Sequence, residues 1–310
     1  MTRIRAAQIT DPGCPFAYGG EAFVSTLRWR FGDQLDWRLV MIGLAEDPAH
    51  YERRGYSAER MTQGWLGFRH NGMPFTLVPR SRVIATGRAC RVVVAARLES
   101  LDLGRRVLRA LQFSWFTTTL LLDEDGALRS VLETVPGADA DRLLARIGDD
   151  DVEQAYQRDR AEARSAAGSP AESQGKTAET DGAVRYTAPT LIFEVGERRF
   201  EAGGSQPLTA YDTLLANLDP QLERRPPAAT ALEAVNAFAH GLTTREVALI
   251  MAPPLAEPDD AATARELIHY AAAGEIACLP LASDALWIPR TSGPFERLRA
   301  VRELLATATG

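Results

Sequence analysis

The segment Asp11-Pro12-Gly13-Cys14-Pro15-Phe16-Ala17-Tyr18 concentrates the residue types that could do chemistry. It lies where an apolar run, residues 4–9, gives way to a helical pattern. A cysteine at a helix N-terminus faces unpaired backbone N–H groups and the positive end of the helix dipole, and both stabilise a thiolate. Pro15 suits the first helical turn, where its missing donor is no loss. The competing reading is a small buried cysteine at a strand end, the usual place of a free thiol. Position alone leaves both open.

Other candidates carry less. Cys90 follows Thr86-Gly87-Arg88-Ala89 in the first turn of a helix, where it either packs or serves as a distant resolving thiol. Cys278 alternates with polar neighbours in a short strand and reads as core. His50, His70, His240 and His269 are scattered without the spacing of a metal site, so no metal is expected. Gly203-Gly204 lacks the phosphate-loop patterns and reads as a strand-to-helix turn. Trp65 and Phe68 precede His70-Asn71-Gly72-Met73-Pro74-Phe75. Met73, Pro74 and Phe75 there either pack between subdomains or wall a substrate site, and Trp115 and Phe116 share that ambiguity.

These residues need elements to hold them. Strands at 4–9 and 36–42 flank a helical stretch from Gly20 to about Phe31. Runs at 191–195 and 198–202 pair across Gly196-Glu197, whose leading glycine suits a type II′ hairpin. A helix from Leu208 to Leu218 follows, with Pro207 ahead of it and Pro220 beyond. Strand, helix and strand, then a hairpin and a closing helix, is the layout of an α/β thioredoxin-like domain, here residues 1–85 and 183–225. Between the halves, residues 86–165 repeat apolar side chains at helical spacing (Val92, Val93, Ala96; Val107, Leu108, Leu111; Leu128, Val131, Leu132; Leu143, Leu144, Ile147) and predict an inserted helical subdomain. Residues 166–182 have almost no apolar bulk to offset ordering and are expected as a mobile loop. Beyond Arg224-Arg225-Pro226-Pro227, residues 226–310 read as three helices and then two strands, 275–279 and 285–288, around Ser283-Asp284. That is a winged-helix-like module.

Composition excludes several functions. The 310 residues are 45% hydrophobic and 25% charged, with net charge −6. No global basic field exists to hold nucleic acid or an anionic membrane. From residue 226 onward there are six arginines, no lysine and ten acidic residues, and the third helix opens on Asp259-Asp260 where phosphate contacts need bases. Nucleic acid is therefore not an expected partner, and any partner of this module would be a protein. No apolar run approaches the ~18 residues of a membrane span. The first ten residues lack the apolar core of a signal peptide. Three widely spaced cysteines do not make a secreted disulfide framework. A cytoplasmic protein without a membrane partner is expected.

Residues 11–18 resemble the active-site segment of the DsbA family of thiol–disulfide oxidoreductases, particularly its FrnE-like branch. That branch is similar in layout to 2-hydroxychromene-2-carboxylate isomerases and kappa-class glutathione transferases. Thr187-Ala188-Pro189-Thr190 resembles the family loop whose cis-proline faces the active-site cysteine. Gly203-Gly204-Ser205-Gln206-Pro207, with Tyr211 and Ala216-Asn217-Leu218, resembles its closing segment, so the likeness covers roughly residues 4–225. The resemblance implies Cys14 as the catalytic thiol, supported by Asp11, Pro15, Phe16, Tyr18 and Ala188. It also implies a cis Pro189, where an X–Pro bond by itself would be read as trans. One departure stands out: the family's second cysteine falls at Ala17, so Cys-x-x-Cys has become Cys-x-x-Ala. A dithiol enzyme releases its mixed disulfide by attack of the second thiolate, which Ala17 cannot supply. The implied function is monothiol exchange through Cys14, resolved by a low-molecular-weight thiol as co-substrate and without a tightly bound cofactor. The alternatives are a thioredoxin-fold isomerase or transferase using a small thiol cofactor, and a binding protein that has lost its redox chemistry.

Overall fold

The computed structural model describes residues 3–290. The last twenty residues assigned to the C-terminal module, 291–310, lie outside the described residues.

Strand β1 (Ile4–Thr10) pairs in parallel with β2 (Leu35–Met41) and antiparallel with β5 (Thr190–Val195), and β6 (Arg198–Gly203) completes a sheet of order β2-β1-β5-β6. β1 is buried almost throughout, because both faces of this central strand are covered. The β5–β6 register pairs Val195 with Arg198, and Gly196 between them has φ +57°, as a turn with glycine first requires. Helix α1 (Pro15–Phe31) begins five residues before the expected Gly20, since Pro15 occupies its first position and Cys14 caps it. With α10 (Leu208–Leu218) it buries Leu27, Phe31 and Leu215 against Ile4 and Phe193 on one face of the sheet. Each such side chain contributes about 1.5–3 kcal/mol.

After β2 come two short helices, α2 (Pro48–Glu52) and α3 (Ala58–Trp65). Five more lie within residues 86–165: α4 (Gly87–Glu99), α5 (Leu101–Thr117), α6 (Asp125–Leu132), α7 (Ala140–Ala145) and α8 (Asp150–Ala163). Ser100 alone joins α4 to α5, and its hydroxyl accepts the Leu103 N–H at 3.0 Å. Val93, Leu108, Leu111 and Leu132 meet in their core. The last helix does more than fill an insertion. Ala163 of α8 packs with Ala7, Ile9 and Val40 on the second face of the sheet, and Asp159 accepts the Met41 N–H at 2.8 Å. Residues 166–182, expected as a structureless loop, instead hold α9 (Pro170–Ser173) and β3 (Thr177–Glu179), which pairs with β4 (Val184–Tyr186). Apolar content was a poor guide there because backbone pairing, from Thr177 to Tyr186, organises the segment.

Residues 231–289 form α11 (Ala231–Asn236), β7 (Leu242–Thr243), α12 (Thr244–Met251), α13 (Asp260–Ala272), β8 (Ile276–Leu281) and β9 (Asp284–Pro289), with sheet order β7-β9-β8. Strand β7 was not expected. The turn sits at Ala282-Ser283, one residue earlier than read, with Ala282 at φ +46°. Cys278 is half-buried at the edge of this module's core rather than inside it.

The module is docked on the first domain. Trp29 of α1 enters its apolar core, and Leu279, Leu281, Leu286 and Ile288 join the cluster that holds Tyr18. Between them runs a buried polar chain. Gln8 and Gln112 donate to Glu21 at 2.8 and 3.3 Å, Arg105 pairs with Glu21 at 2.8 Å, and Arg109 pairs with Glu246 at 2.8 Å. Ser25 of α1 donates to the same Glu246 at 2.9 Å. Glu21, Arg109 and Glu246 have fully buried side chains and Arg105 nearly so, so two carboxylates face two guanidiniums out of water. Burial pushes the Glu21 carboxyl up, but Arg105 and Arg109 outweigh it and hold it below its ordinary value. Glu246 also forms a capping box with Thr243 at the start of α12. Among the described residues no helix is long and apolar enough to cross a membrane.

Candidate functional site

A pocket of about 420 Å³ opens at the N-terminus of α1. Cys14, Pro15 and Phe16 form its floor, Trp115 of α5 and Trp65 of α3 one wall, and Ala188 the opposite rim. Cys14 is 5% exposed, and its thiol donates to the Ala188 carbonyl at 3.2 Å. The Ala188–Pro189 peptide is cis, with Pro189 behind the pocket, where a Cβ on Gly20 would come within 3.2 Å of its ring. Ala17 is one turn along α1 and 1% exposed. Gly13 is required by close approach: a Cβ there would lie 2.6 Å from the Thr86 methyl and 2.8 Å from the Trp115 ring.

Asp11 is fully buried and ties the segment down. Its carboxylate accepts the N–H groups of Gly13 and Leu44, both at 2.9 Å, the Thr86 hydroxyl at 3.1 Å and the Cys90 thiol at 3.5 Å. Burial raises this carboxyl despite those four donors. Cys90 is thus turned toward Asp11 and does not line the pocket.

A favoured thiolate is expected only where Cys14 is partly exposed, and at 5% exposure that condition is not met. Burial pushes Cys14 up to about 12, with Asp11 adding to it. The backbone N–H groups of Ala17 and Phe16 and the charge of Arg185 pull the other way and do not prevail. The physical reason is the neighbourhood: a thiolate gains little from a helix N-terminus when apolar side chains and a carbonyl replace water around it.

The remaining expected residues divide. Phe16 is 56% exposed and meets Phe68 edge-on at 4.6 Å. Trp115 lines the pocket. Tyr18 does not: it is fully buried, stacks on Phe116 at 4.7 Å and donates to the Pro74 carbonyl at 3.0 Å. Met73, Pro74 and Phe75 stand with it in the core, away from the pocket, and Met73 accepts the Thr243 hydroxyl at 3.4 Å. Packing, not a substrate wall, is their place.

Several pocket residues carried no signal in the sequence. Tyr51 and Tyr56 come from the α2–α3 segment with Arg54 and Arg60, and Arg185 comes from β4. Thr180, in the stretch expected as a mobile loop, reaches the pocket and accepts the Arg185 Nε at 3.0 Å. Arg54, Arg60 and Arg185 give this aromatic-lined pocket a positive charge. Among the described residues no group of His, Cys, Asp or Glu is placed to hold a metal ion.

No family model and no curated protein matches the sequence. Solved structures do. A candidate protein disulfide isomerase from Nitrosomonas europaea superposes with a TM-score of 0.54 at 18% identity, covering 71% of this chain and 98% of that one. A candidate DsbA oxidoreductase from Streptomyces coelicolor gives 0.52 at 18% identity, covering 73% and 93%. The cytosolic disulfide reductase DsbM from Pseudomonas aeruginosa gives 0.49 at 19% identity, covering 70% and 98%. The structural neighbours of this α/β chain are therefore DsbA-like thiol–disulfide oxidoreductases, and it shares their thioredoxin fold.

Proposed function

We propose that this protein is a thiol–disulfide oxidoreductase of DsbA-like, FrnE-like type that works through the single thiol of Cys14. The observation that carries the reading is the position of Cys14: it caps α1 in the pocket floor against the Ala188 carbonyl, with Ala17 where a resolving thiol would stand. In the first step the Cys14 sulfur bonds to one sulfur of a disulfide R–S–S–R′, the S–S bond breaks, and R′SH leaves with the Cys14 proton. In the second, an external thiol R″SH attacks the mixed disulfide, giving R–S–S–R″ and returning the proton to Cys14. Electrons balance with no other reagent. Arg185 favours the charged sulfur during attack, while burial keeps the resting thiol protonated. Substrate and co-substrate would be small thiols or their disulfides, with the arginines of the pocket receiving their anionic groups.

One observation favours a second reading. A protonated thiol suits hydrogen-bond donation to a bound thiol cofactor, as in a thioredoxin-fold isomerase or transferase. Intact-protein mass spectrometry after incubation with glutathione disulfide at pH 7 to 10 separates the two. Monothiol exchange requires a mixed disulfide on Cys14 that forms faster as pH rises and disappears in excess reduced glutathione. Absence of any adduct, with Cys14 still open to iodoacetamide, would overturn it. We assign the winged-helix-like C-terminal module to protein contact rather than nucleic acid, on its acidic third helix. We assign the protein to the cytoplasm on its odd, widely spaced cysteines.

A further inference from the structure

A cleft of about 950 Å³ lies at the other end of α1, about 21 Å from Cys14 at the helical rise per residue. It is bounded by the end of α1, β2, the first turns of α5, the linker 223–226 and residues 237–240 of the C-terminal module. Its floor holds buried donors that lack acceptors. The Arg28 guanidinium lies over the Trp37 indole at 4.4 Å, and its buried Nε has no hydrogen-bond partner among the described residues. The Trp37 indole N–H is buried without an acceptor. Arg105, 5% exposed, spends Nη1 on Glu21 and Gln8, but its Nε and Nη2 are buried and unmatched. Of the other arginines on this cleft, Arg30 pairs with Asp212, Arg224 stands 3.9 Å from the same carboxylate, Arg225 pairs with Glu233, and Arg3 is exposed.

We infer that this cleft is a binding site for a small organic anion with a single phosphate or carboxylate head, received by Arg28, Arg105 and the Trp37 N–H. Native interiors keep few unmatched polar groups, because each loses its water without replacement. Two guanidiniums and an indole with free donors on one cleft are matched at once by an oxyanion, which accepts several hydrogen bonds and brings the missing charge. Burial, with Arg105 alongside, lowers the affinity of Arg28 for its proton, and a bound anion would reverse that. The carboxylates of Asp33, Asp36 and Glu223 line the same cleft, while Asp102 is held by Arg106 at 2.9 Å. They repel a second anionic group, so a monoanionic head is favoured over a polyphosphate. The volume is that of a small-molecule site and not of a lone ion. Because its walls come from the first domain, the insertion and the C-terminal module, the ligand would tie the three together.

The experiment is thermal unfolding and tryptophan fluorescence of the full chain with inorganic phosphate, benzoate or adenosine monophosphate, each against sodium chloride of equal ionic strength. At least one probe should raise the midpoint with a saturable dose dependence and quench fluorescence over the same range. The phosphate and carboxylate arms identify the preferred head. Arg28→Gln should weaken the response at least tenfold. Trp37→Phe, which keeps an aromatic ring and loses the donor, should weaken the shift of the thermal midpoint about threefold; it is read on that midpoint alone, because it removes the cleft's reporter indole, and it serves if Arg28→Gln fails to fold. No response beyond that of chloride, or an unchanged response in the variants, would overturn the assignment. Neither readout depends on Cys14 chemistry.

Discussion

Replacing Glu246 by glutamine tests whether the buried ion chain fastens the C-terminal module. The wild-type carboxylate is fully buried and accepts from Arg109 at 2.8 Å, Ser25 at 2.9 Å, the Thr243 N–H at 2.9 Å and its hydroxyl at 3.1 Å. Arg109 and the Thr243 N–H can only donate, so the NH₂ of glutamine must turn toward the Ser25 or Thr243 hydroxyl, and the negative charge opposite Arg109 is lost. Arg109, fully buried over the Phe113 ring, then has as counter-charge only a Glu21 oxygen at 4.0 Å that Arg105 already engages. An uncompensated buried charge of this kind costs about 3–5 kcal/mol. At the usual entropy of unfolding for a chain of 310 residues, that lowers Tm by about 5–8 °C. Glu233→Gln, at an exposed pair with Arg225, makes the same chemical change on the surface and should leave the transition where it was. Calorimetry and urea titration of both variants give the comparison. If Glu246→Gln moved the midpoint no more than Glu233→Gln, the ion chain would not be holding the module to α1, and the docking would be apolar alone.

Three further outcomes follow from the site. Ala17→Cys places a second thiol one turn from Cys14, so diamide should lower the thiol count of the denatured chain from four to two, leaving Cys90 and Cys278, and insulin reduction should appear; four titratable thiols after oxidation would refute that geometry. Gly13→Ala drives a methyl into Thr86 and Trp115 and should cost about 1–3 kcal/mol while altering Cys14 alkylation, both measurable in one preparation. Because the folded state holds the Cys14 thiol above its ordinary value, its contribution to stability is complete below pH 9 and is lost as pH rises toward about 12. Cys14→Ala should therefore resist alkaline unfolding better than wild type, by about 1.4 kcal/mol per pH unit above pH 9, and parallel pH–stability curves would refute the buried, protonated thiol.

The sequence determined the parts whose signals are local. Apolar runs at 4–9 and 36–42, glycine at 196 and prolines at 15 and 207 placed the strands, the hairpin turn and the starts of two helices within a few residues. They also marked Cys14, and the missing cysteine at Ala17, as the point where chemistry would be decided. The tertiary structure alone decided what surrounds that thiol. Its acceptor, Ala188, is 174 residues away, and the burial that protonates it comes from α5 and from segments after β2 and before β5. Residues 166–182 read as a mobile loop because apolar content measures core formation and is blind to a backbone ladder such as β3–β4. Arg105 and Arg109 stand one helical turn apart on α5, but nothing in the sequence shows that they meet Glu21 and Glu246. Burial and charge pairing depend on which side chains the fold brings together across the chain, and a local pattern carries no term for that.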